Sequence, residues 1–475
     1  MRPARGFDLV ERRGSSRIVR SALDEIRAIQ TLLDDVYKDA GDGRTLVREL
    51  VQNADDARAE RLVLAVLDRG WPEATNSLLR GPALLALNDG SFSGEDHEGV
   101  HRAVGGAKQE DASKIGRFGV GLKSAFHICE ALVYLGAEPG VLRPGVLNPW
   151  AGTGACGDAD PIHPDWDGIE DDEERLVRTA KRLLGTTFDK GFLLWIPLRR
   201  REHLDRAEGR AHGLRLTTPE PAEVSRWFGS STPLTLLLAQ CGHLRWIEAR
   251  RASDPDGPAA ILDRVERPVF VPSSWVGRFD DDGMPVERNF AGTIAGDART
   301  WSVSGVEAVG IGSVRNLRFA SDWPIDEEVD RRTGRWHSVP RKARAHAAVT
   351  IVRPNGSAKA ARAARLRWAV FLPLDDNPAA RSGPLVENVG AVSETDPWEF
   401  ILHGYFWPSH DRRSIPGVTG EDHGGSEDEV RVRWNRAVRD ELLLPLVPAA
   451  LASAVNGIPD AAARPLLMDI TAAQI

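Results

Sequence analysis

Glu49 and Asn53 stand four residues apart in the stretch Arg44–Ala57, RTLVRELVQNADDA. On a helix that spacing puts a carboxylate and a carboxamide one turn apart, with Gln52 and Asp56 alongside. A neutral amide oxygen suits a hydrated Mg2+ ion, and a carboxylate can take a proton from a water held beside it. The same residue types also describe a wet helix face, and this stretch alone does not choose. Two further stretches bear on the choice. Asn88-Asp89-Gly90 closes an apolar run, and an Asp at a strand end can accept a hydrogen bond from an exocyclic amine such as that of adenine. Gly116-Arg117-Phe118-Gly119-Val120-Gly121 runs into LKSAFHIC, which reads as a helix beginning at the glycines. Glycines there let successive N–H groups turn inward beside a helix N-terminus, which makes a phosphate cradle. Taken singly the glycines also describe a flexible loop. No Gly-Lys-Ser/Thr closes them as in a Walker A loop, and no tight strand–turn precedes them as in a dinucleotide fingerprint.

The elements that must position these residues can be read from hydrophobic periodicity. Leu46, Val47, Leu50, Val51 and Ala54 form the apolar stripe of the helix that carries Glu49 and Asn53. A helix is expected before it, from Ser21 to about Tyr37, and strands at Arg61–Asp68 and Pro82–Leu87 after it. Ser91–Ile115 is polar and Gly-bearing, the pattern of a lid or of a disordered segment. A strand is expected at Ala131–Leu135, an acidic loop-like insertion over 137–173, a helix at Leu176–Leu184 and a strand at Gly191–Leu198. Arg199-Arg200-Arg201 then reads as a polar exit. Beyond it come short helices at Pro221–Phe228 and Leu234–Leu238. Strands are expected at Leu244–Ala249, Val269–Val271, Trp301–Val306, Ala347–Val352 and Leu366–Leu374, and a Pro-interrupted helix over Val430–Val455. The division expected is an N-terminal arm (1–20), an α/β domain (21–205), an α+β domain (206–445) and a C-terminal tail (446–475).

Composition sets bounds on partners. The 475 residues carry 61 Lys+Arg against 69 Asp+Glu, a net charge of −8, so nucleic acid is not indicated as a general partner, although a local basic patch is still compatible with it. Three scattered cysteines, Cys129, Cys156 and Cys241, show neither disulfide nor zinc spacing. There is no apolar run of membrane-spanning length and no signal-peptide pattern, so the expectation is a cytoplasmic protein with no membrane partner.

The order and spacing of the three stretches resemble the GHKL ATPases, the class of gyrase, MutL, histidine kinases and the ninety-kilodalton heat-shock chaperone, and most of all their sacsin branch. The resemblance rests on ELVQNADDA (49–57), LLALNDGSFSGED (84–96), KIGRFGVGLKSAFH (114–127) and GFLLWIPLR (191–199). In the second half HLRWIEAR (243–250), AVFLPLDD (369–376), HGYFWPSHDRRSI (403–415) and WNRAVRDELLLPLV (434–447) are similar to segments that come after the ATPase domain in sacsin-type proteins.

The family implies an α/β two-layer sandwich, a mixed sheet with helices on one face, followed by an α+β transducer-like domain. It implies ATP and Mg2+ as cofactors and slow hydrolysis coupled to lid closure. Glu49 would polarise the attacking water, Asn53 would bind Mg2+, and Asp56 would support the site through hydrogen bonds. Asp89 would read the adenine amine. Gly116, Phe118, Gly119, Val120 and Gly121 would wrap the phosphates. Lys108 either closes onto the terminal phosphates or stays a solvated lid lysine, and Lys123 is either a phosphate neighbour or an exposed charge. Asp411-Arg412-Arg413 has the makings of an arginine finger, with a domain-interface ion pair as the other reading. Two positions depart from the family: the D-x-G-x-G pattern is not intact after Asp89, and Phe192 follows Gly191 where relatives have a Thr whose hydroxyl supports adenine reading. Thr186 and Thr187 would take over that role if the strand register were shifted.

The function classes implied are a chaperone-like or bacterial defence-type ATPase with a protein partner or C-terminal effector and an ATP-dependent homodimer, a nucleotide-binding scaffold with little turnover, and a DNA-acting MutL-like ATPase.

Overall fold

The computed structural model describes residues 26–27, 29–31, 33, 43–97, 124–151, 166, 168–204, 214–215, 217–228, 231–270, 286–297, 299–311, 327–330, 335–338, 344–355, 363–370, 372–373, 386–390, 398–406, 414–419, 432 and 434–455. They fall into two compact units. The first takes described residues up to 228 and then Glu248–Asp263; the second takes 231–247 and those from Arg264 onward. Residues 214–228 and 248–263 thus sit with the first unit, beyond the boundary expected at 205.

The first unit is ordered by α1 (Arg44–Asp56), β1 (Arg61–Leu67), β2 (Ala83–Asn88), β3 (Leu132–Glu138), β4 (Val141–Leu147), α2 (Glu173–Leu184), β5 (Gly191–Pro197), α3 (Pro221–Ser225) and, later in the chain, β6 (Trp246–Ala252) from Glu248 onward. The strands lie in the order β6-β1-β2-β5-β3-β4. The registers of β1 with β2, β2 with β5, β3 with β5 and β3 with β4 are antiparallel.

The predicted apolar stripe of α1 is the buried one: Leu46, Val51 and Ala54 are fully enclosed, and Val47 and Leu50 nearly so. Each Leu or Val among them contributes roughly 1.5–3 kcal/mol by leaving water. No side chain caps the helix N-terminus. Gly43 stands there instead, where a Cβ would overlap the Trp227 ring, so glycine is what lets Trp227 pack against the start of α1. At the other end Arg58 adopts a left-handed conformation (φ 55°) that closes the helix. The helical residues described between Ile26 and Leu33 bury Ile26, Ile29 and Leu33.

Two expectations for this unit need correction. The stretch read as a loop-like insertion contains the end of β3 and all of β4, joined by a turn with Gly140 at φ 77°. β4 is the edge strand, and its first residues, Val141 and Leu142, are exposed. An edge strand of this kind lacks the alternation that betrays strands in sequence, and Pro144 obscures it further. Arg199, read as part of a polar exit, is wholly buried.

The second unit holds α4 (Ser231–Gln240), the remainder of β7 (Ala259–Phe270), β8 (Val286–Gly296), β9 (Thr300–Ile311), the small hairpin β10 (Glu327–Asp330) and β11 (Arg335–Ser338), β12 (Arg344–Pro354), β13 (Ala363–Val370), β14 (Leu372–Pro373), β15 (Val386–Gly390) and β16 (Trp398–Gly404). Its strand order is β14-β13-β16-β12-β9-β8-β7, with β15 beside β13. β13 and β16 run parallel while β12 is antiparallel to both β9 and β16, so the sheet is mixed. Strands β8, β10, β11, β15 and β16 are not among those expected from the sequence. β8 carries Asn289, Gly292 and Gly296, and β16 is buried along its whole length, so these two show no alternating pattern. The core joins Val349, Ile351, Phe400 and Leu402 to Phe406, Trp434 and Leu443. The predicted C-terminal helix passes through one π turn (Val438–Leu443) and one 3-10 turn (Leu444–Leu446) before α5 (Val447–Val455), because Pro445 cannot donate an α-helical bond.

Candidate functional site

Glu49 and Asn53 lie on successive turns of α1, Glu49 buried at 5% exposure and Asn53 and Asp56 partly exposed. Among the described residues no hydrogen bond engages the Asn53 carboxamide, which leaves its oxygen available to a ligand.

The end of α1 is docked to the end of β2. Ser91 donates its backbone N–H to Ala57 O at 3.1 Å, and a Cβ on Gly90 would come within 2.8 Å of both the Ala57 carbonyl and its Cβ. Glycine at 90 is therefore what permits the helix to approach. Two of the three sequence stretches are thereby brought together. Asp89 turns back toward the start of β1, where its Oδ1 accepts the backbone N–H groups of Glu60 at 2.8 Å and Arg61 at 3.0 Å. One carboxylate oxygen thus serves to hold β1 against β2. The preceding residue, Asn88, is the last of the strand and is 6% exposed; its Oδ1 accepts the Gly90 N–H at 2.9 Å.

The third stretch, Gly116 to Gly121 with Phe118 and Val120, lies outside the described residues, as do Lys108, Lys123, Arg412 and Arg413. Just beyond the glycines is a buried 3-10 turn, Ser124–His127, packed against α1. Arg199 holds this turn in place. Its guanidinium donates to the carbonyls of Phe126 (2.8 Å), His127 (2.9 Å), Cys129 (2.7 Å) and Thr217 (3.0 Å), and pairs with the Glu130 carboxylate. Glu130 in turn accepts the Leu214 N–H with both oxygens, at 3.1 and 3.0 Å. Burial pushes the Glu130 carboxyl above its usual range, and the Arg199 charge opposes that shift. Burial, reinforced by the charges of Arg215 and Arg199, holds the His127 imidazole down at about 3.

The strand that opens with Gly191 settles the question of register. Phe192 pairs with Asn88 on one side and Gly136 on the other. Gly191 adopts φ 149°, and a Cβ there would meet the Asn88 carbonyl at 2.6 Å, so no other residue type holds this position without displacement. Thr186 and Thr187 are exposed residues ahead of β5, where the Thr186 hydroxyl donates to the Thr187 carbonyl at 3.3 Å; neither stands in for the absent Thr. Phe192 instead stacks on Phe92 (centroids 4.7 Å, 24°), and Tyr134 lies 6.0 Å from each ring. The Tyr134 hydroxyl is 3.0 Å from His97 Nδ1.

Asn88, Phe92, Glu130 and Arg199 went unnoticed in sequence. Asn88 was detectable by counting strand parity from Leu84, whereas nothing local distinguishes Arg199 from Arg200 and Arg201. Among the described residues there is no group of three or more His, Cys, Asp or Glu side chains able to hold a metal ion, and no helix long and apolar enough to cross a membrane. The residues present suit Mg2+ only in a manner where most ligands come from phosphate and water, with Asn53 supplying a neutral oxygen.

The first unit is thus an α/β unit in which an acidic and amide-bearing helix docks beside a strand-end Asn-Asp-Gly. Residues 26–142 match the family model of the Sacsin domain. Over 118 residues, 24% of this chain, the sequence is 30% identical to human Sacsin (Homo sapiens), of which it spans 3% of the length. Residues 26–142 are therefore similar to the Sacsin domain, and α1 to β4 lie within or at the edge of the matched region.

Proposed function

We propose that the first unit binds ATP and hydrolyses it slowly, as a GHKL-type sandwich. The observation that carries this reading is the docking of the end of α1, the helix that bears Glu49 and Asn53, on the Asn88-Asp89-Gly90 turn at the end of β2, inside the sacsin-matched region. In this reading the nucleotide lies along α1. Glu49 orients a water in line with the terminal phosphate and accepts its proton, and low exposure keeps that carboxylate from exchanging freely with bulk solvent. Asn53, supported by Asp56, would hold Mg2+, which supplies charge neutralisation on the phosphates when bound. Gly116, Phe118, Gly119, Val120 and Gly121 wrap the phosphates, and Lys108 closes over them. Arg412 or Arg413 is the candidate to offset charge developing on the transferred group. Cys129 and Cys241 are buried free thiols, in keeping with a reducing, cytoplasmic setting.

Closure over nucleotide would pair two copies or grip a protein partner, as a chaperone-like or defence-type ATPase does. Steady-state phosphate release from the native chain and from Glu49→Ala tests the enzyme. A drop of about 100-fold or more is expected for a lost general base; equal rates would sink it. Arg412→Ala and Arg413→Ala should slow release while leaving nucleotide affinity intact.

A second reading is a nucleotide-binding scaffold with little turnover. It is favoured by Phe192 standing opposite Asn88 where relatives have Thr.

A further inference from the structure

The base end of the site carries chemistry of its own. Resting on the nucleotide-binding reading above, we propose that this site does not select adenine: the base is held by stacking on Phe192 and by donation from the Asn88 amide, so a purine bearing a carbonyl, such as guanine, is accepted as well as adenine.

Three features point this way. The Asp89 carboxylate, the acceptor an adenine amine would need, already receives two backbone N–H groups on Oδ1. The strand-end residue that shares a face with Phe192 is Asn88, directly opposite it on the neighbouring strand. Its Oδ1 is taken by the Gly90 N–H, which also fixes which end of the amide is oxygen. What Asn88 has left is Nδ2, a donor with no partner among the described residues. A donor complements a base carbonyl; it opposes an exocyclic amine.

The wall beside it is built rather than incidental. Phe192 is partly exposed, and Phe92 braces its ring from behind. Phe92 itself is buried and lies over Gly136, where any Cβ would overlap the ring. Stacking of this kind tolerates any base, because every base presents a π face.

The test uses the full chain and fluorescent ATP and GTP analogues in equilibrium titrations, with inorganic tripolyphosphate as competitor. ATP and GTP should bind within about fivefold of each other, as stacking-dominated sites do. Phe192→Ala should weaken both by about tenfold or more. Asn88→Asp, which exchanges a donor for an acceptor, should move the ATP:GTP ratio toward ATP by about tenfold, in line with discrimination by a single polar contact. ATP binding more than about 100-fold tighter than GTP in the native chain, beyond what an apolar pocket achieves, would overturn the base inference while leaving the nucleotide reading intact. No binding of either analogue, with Asn53→Ala indistinguishable from the native chain, would overturn both.

Discussion

Arg199 and Glu130 form an ion pair in which neither side chain has any exposure to solvent. A lone buried pair is often no better than two well-packed apolar side chains, because desolvation offsets the Coulombic gain. Here the guanidinium also satisfies four backbone carbonyls, two of them in the turn just beyond the glycine-bearing stretch and a third, Cys129, two residues after it. Removing it leaves these carbonyls buried and bare. Arg199→Met is expected to destabilise the first unit by about 3–5 kcal/mol. Adding Glu130→Gln should recover only a minor part, since the carbonyls remain unsatisfied. Urea unfolding of the two single variants and the double variant measures both numbers. Full recovery in the double variant would mean that charge, not the carbonyl cluster, accounts for the loss.

Asp89 offers a second separation of roles. Its Oδ1 holds two N–H groups at the start of β1, a duty that an amide oxygen performs almost as well. Asp89→Asn should therefore change stability by less than about 1 kcal/mol, whereas Asp89→Ala should cost about 1–3 kcal/mol for the stranded donors. If the carboxylate also reads the base through its other oxygen, Asp89→Asn lowers ATP affinity with stability unchanged. Thermal unfolding and nucleotide titration on the same samples distinguish the two contributions.

Gly136 faces the Phe92 ring so closely that a methyl group would overlap it. Gly136→Ala is expected to displace Phe92 and cost about 1–3 kcal/mol through overpacking. Phe92→Leu in the same chain should relieve most of that cost by making room. A double variant no more stable than Gly136→Ala would show that the strain lies elsewhere, and denaturant midpoints decide it.

His127 predicts an acid-sensitive first unit. Burial and two nearby arginines hold its pKa at about 3, below the ordinary 6.5. Between those values the unfolded chain takes up a proton that the folded one refuses, so stability falls as the pH drops below 6.5. The slope approaches about 1.4 kcal/mol per pH unit for one proton. Glu130, whose pKa is raised, works in the opposite direction, but it is present in both chains of the comparison. Urea midpoints of the native chain and His127→Gln, taken from pH 7 to pH 4, should show the shallower acid dependence in the variant. Parallel curves would remove His127 from the account.

Much of the first unit was legible because its elements obey their periods. The stripe of α1 and the runs that became β1, β2 and β5 appear within a residue or two of where hydrophobic spacing put them. What escaped had physical reasons. β4 is an edge strand with Pro144 and Gly145, β8 is weakened by glycines, and β16 is buried on both faces, so alternation fails in all three. At the candidate site Glu49 and Asn53 were readable from helical spacing. The part played by Asn88 was not, because adjacent residues of a strand point to opposite faces and the eye settles on the charged one. Arg199 lay hidden among three consecutive arginines, since burial of a charge is decided by partners remote in sequence.

The return of the chain at Glu248 bears on the order in which the protein is made. β6 covers the side of β1 that β2 does not, and the loop after β6 supplies Asp254 to Arg69 and Asp256 to the Trp71 indole. Both come from residues that emerge only after 230–247, which belong to the other unit. A ribosome that has released the first 229 residues has therefore exposed α1 and the Asn88 turn, yet left β1 bare along one edge. The first unit becomes whole only when synthesis has passed through a portion of its neighbour, and a fragment cut at 205 or 229 would carry that open edge permanently.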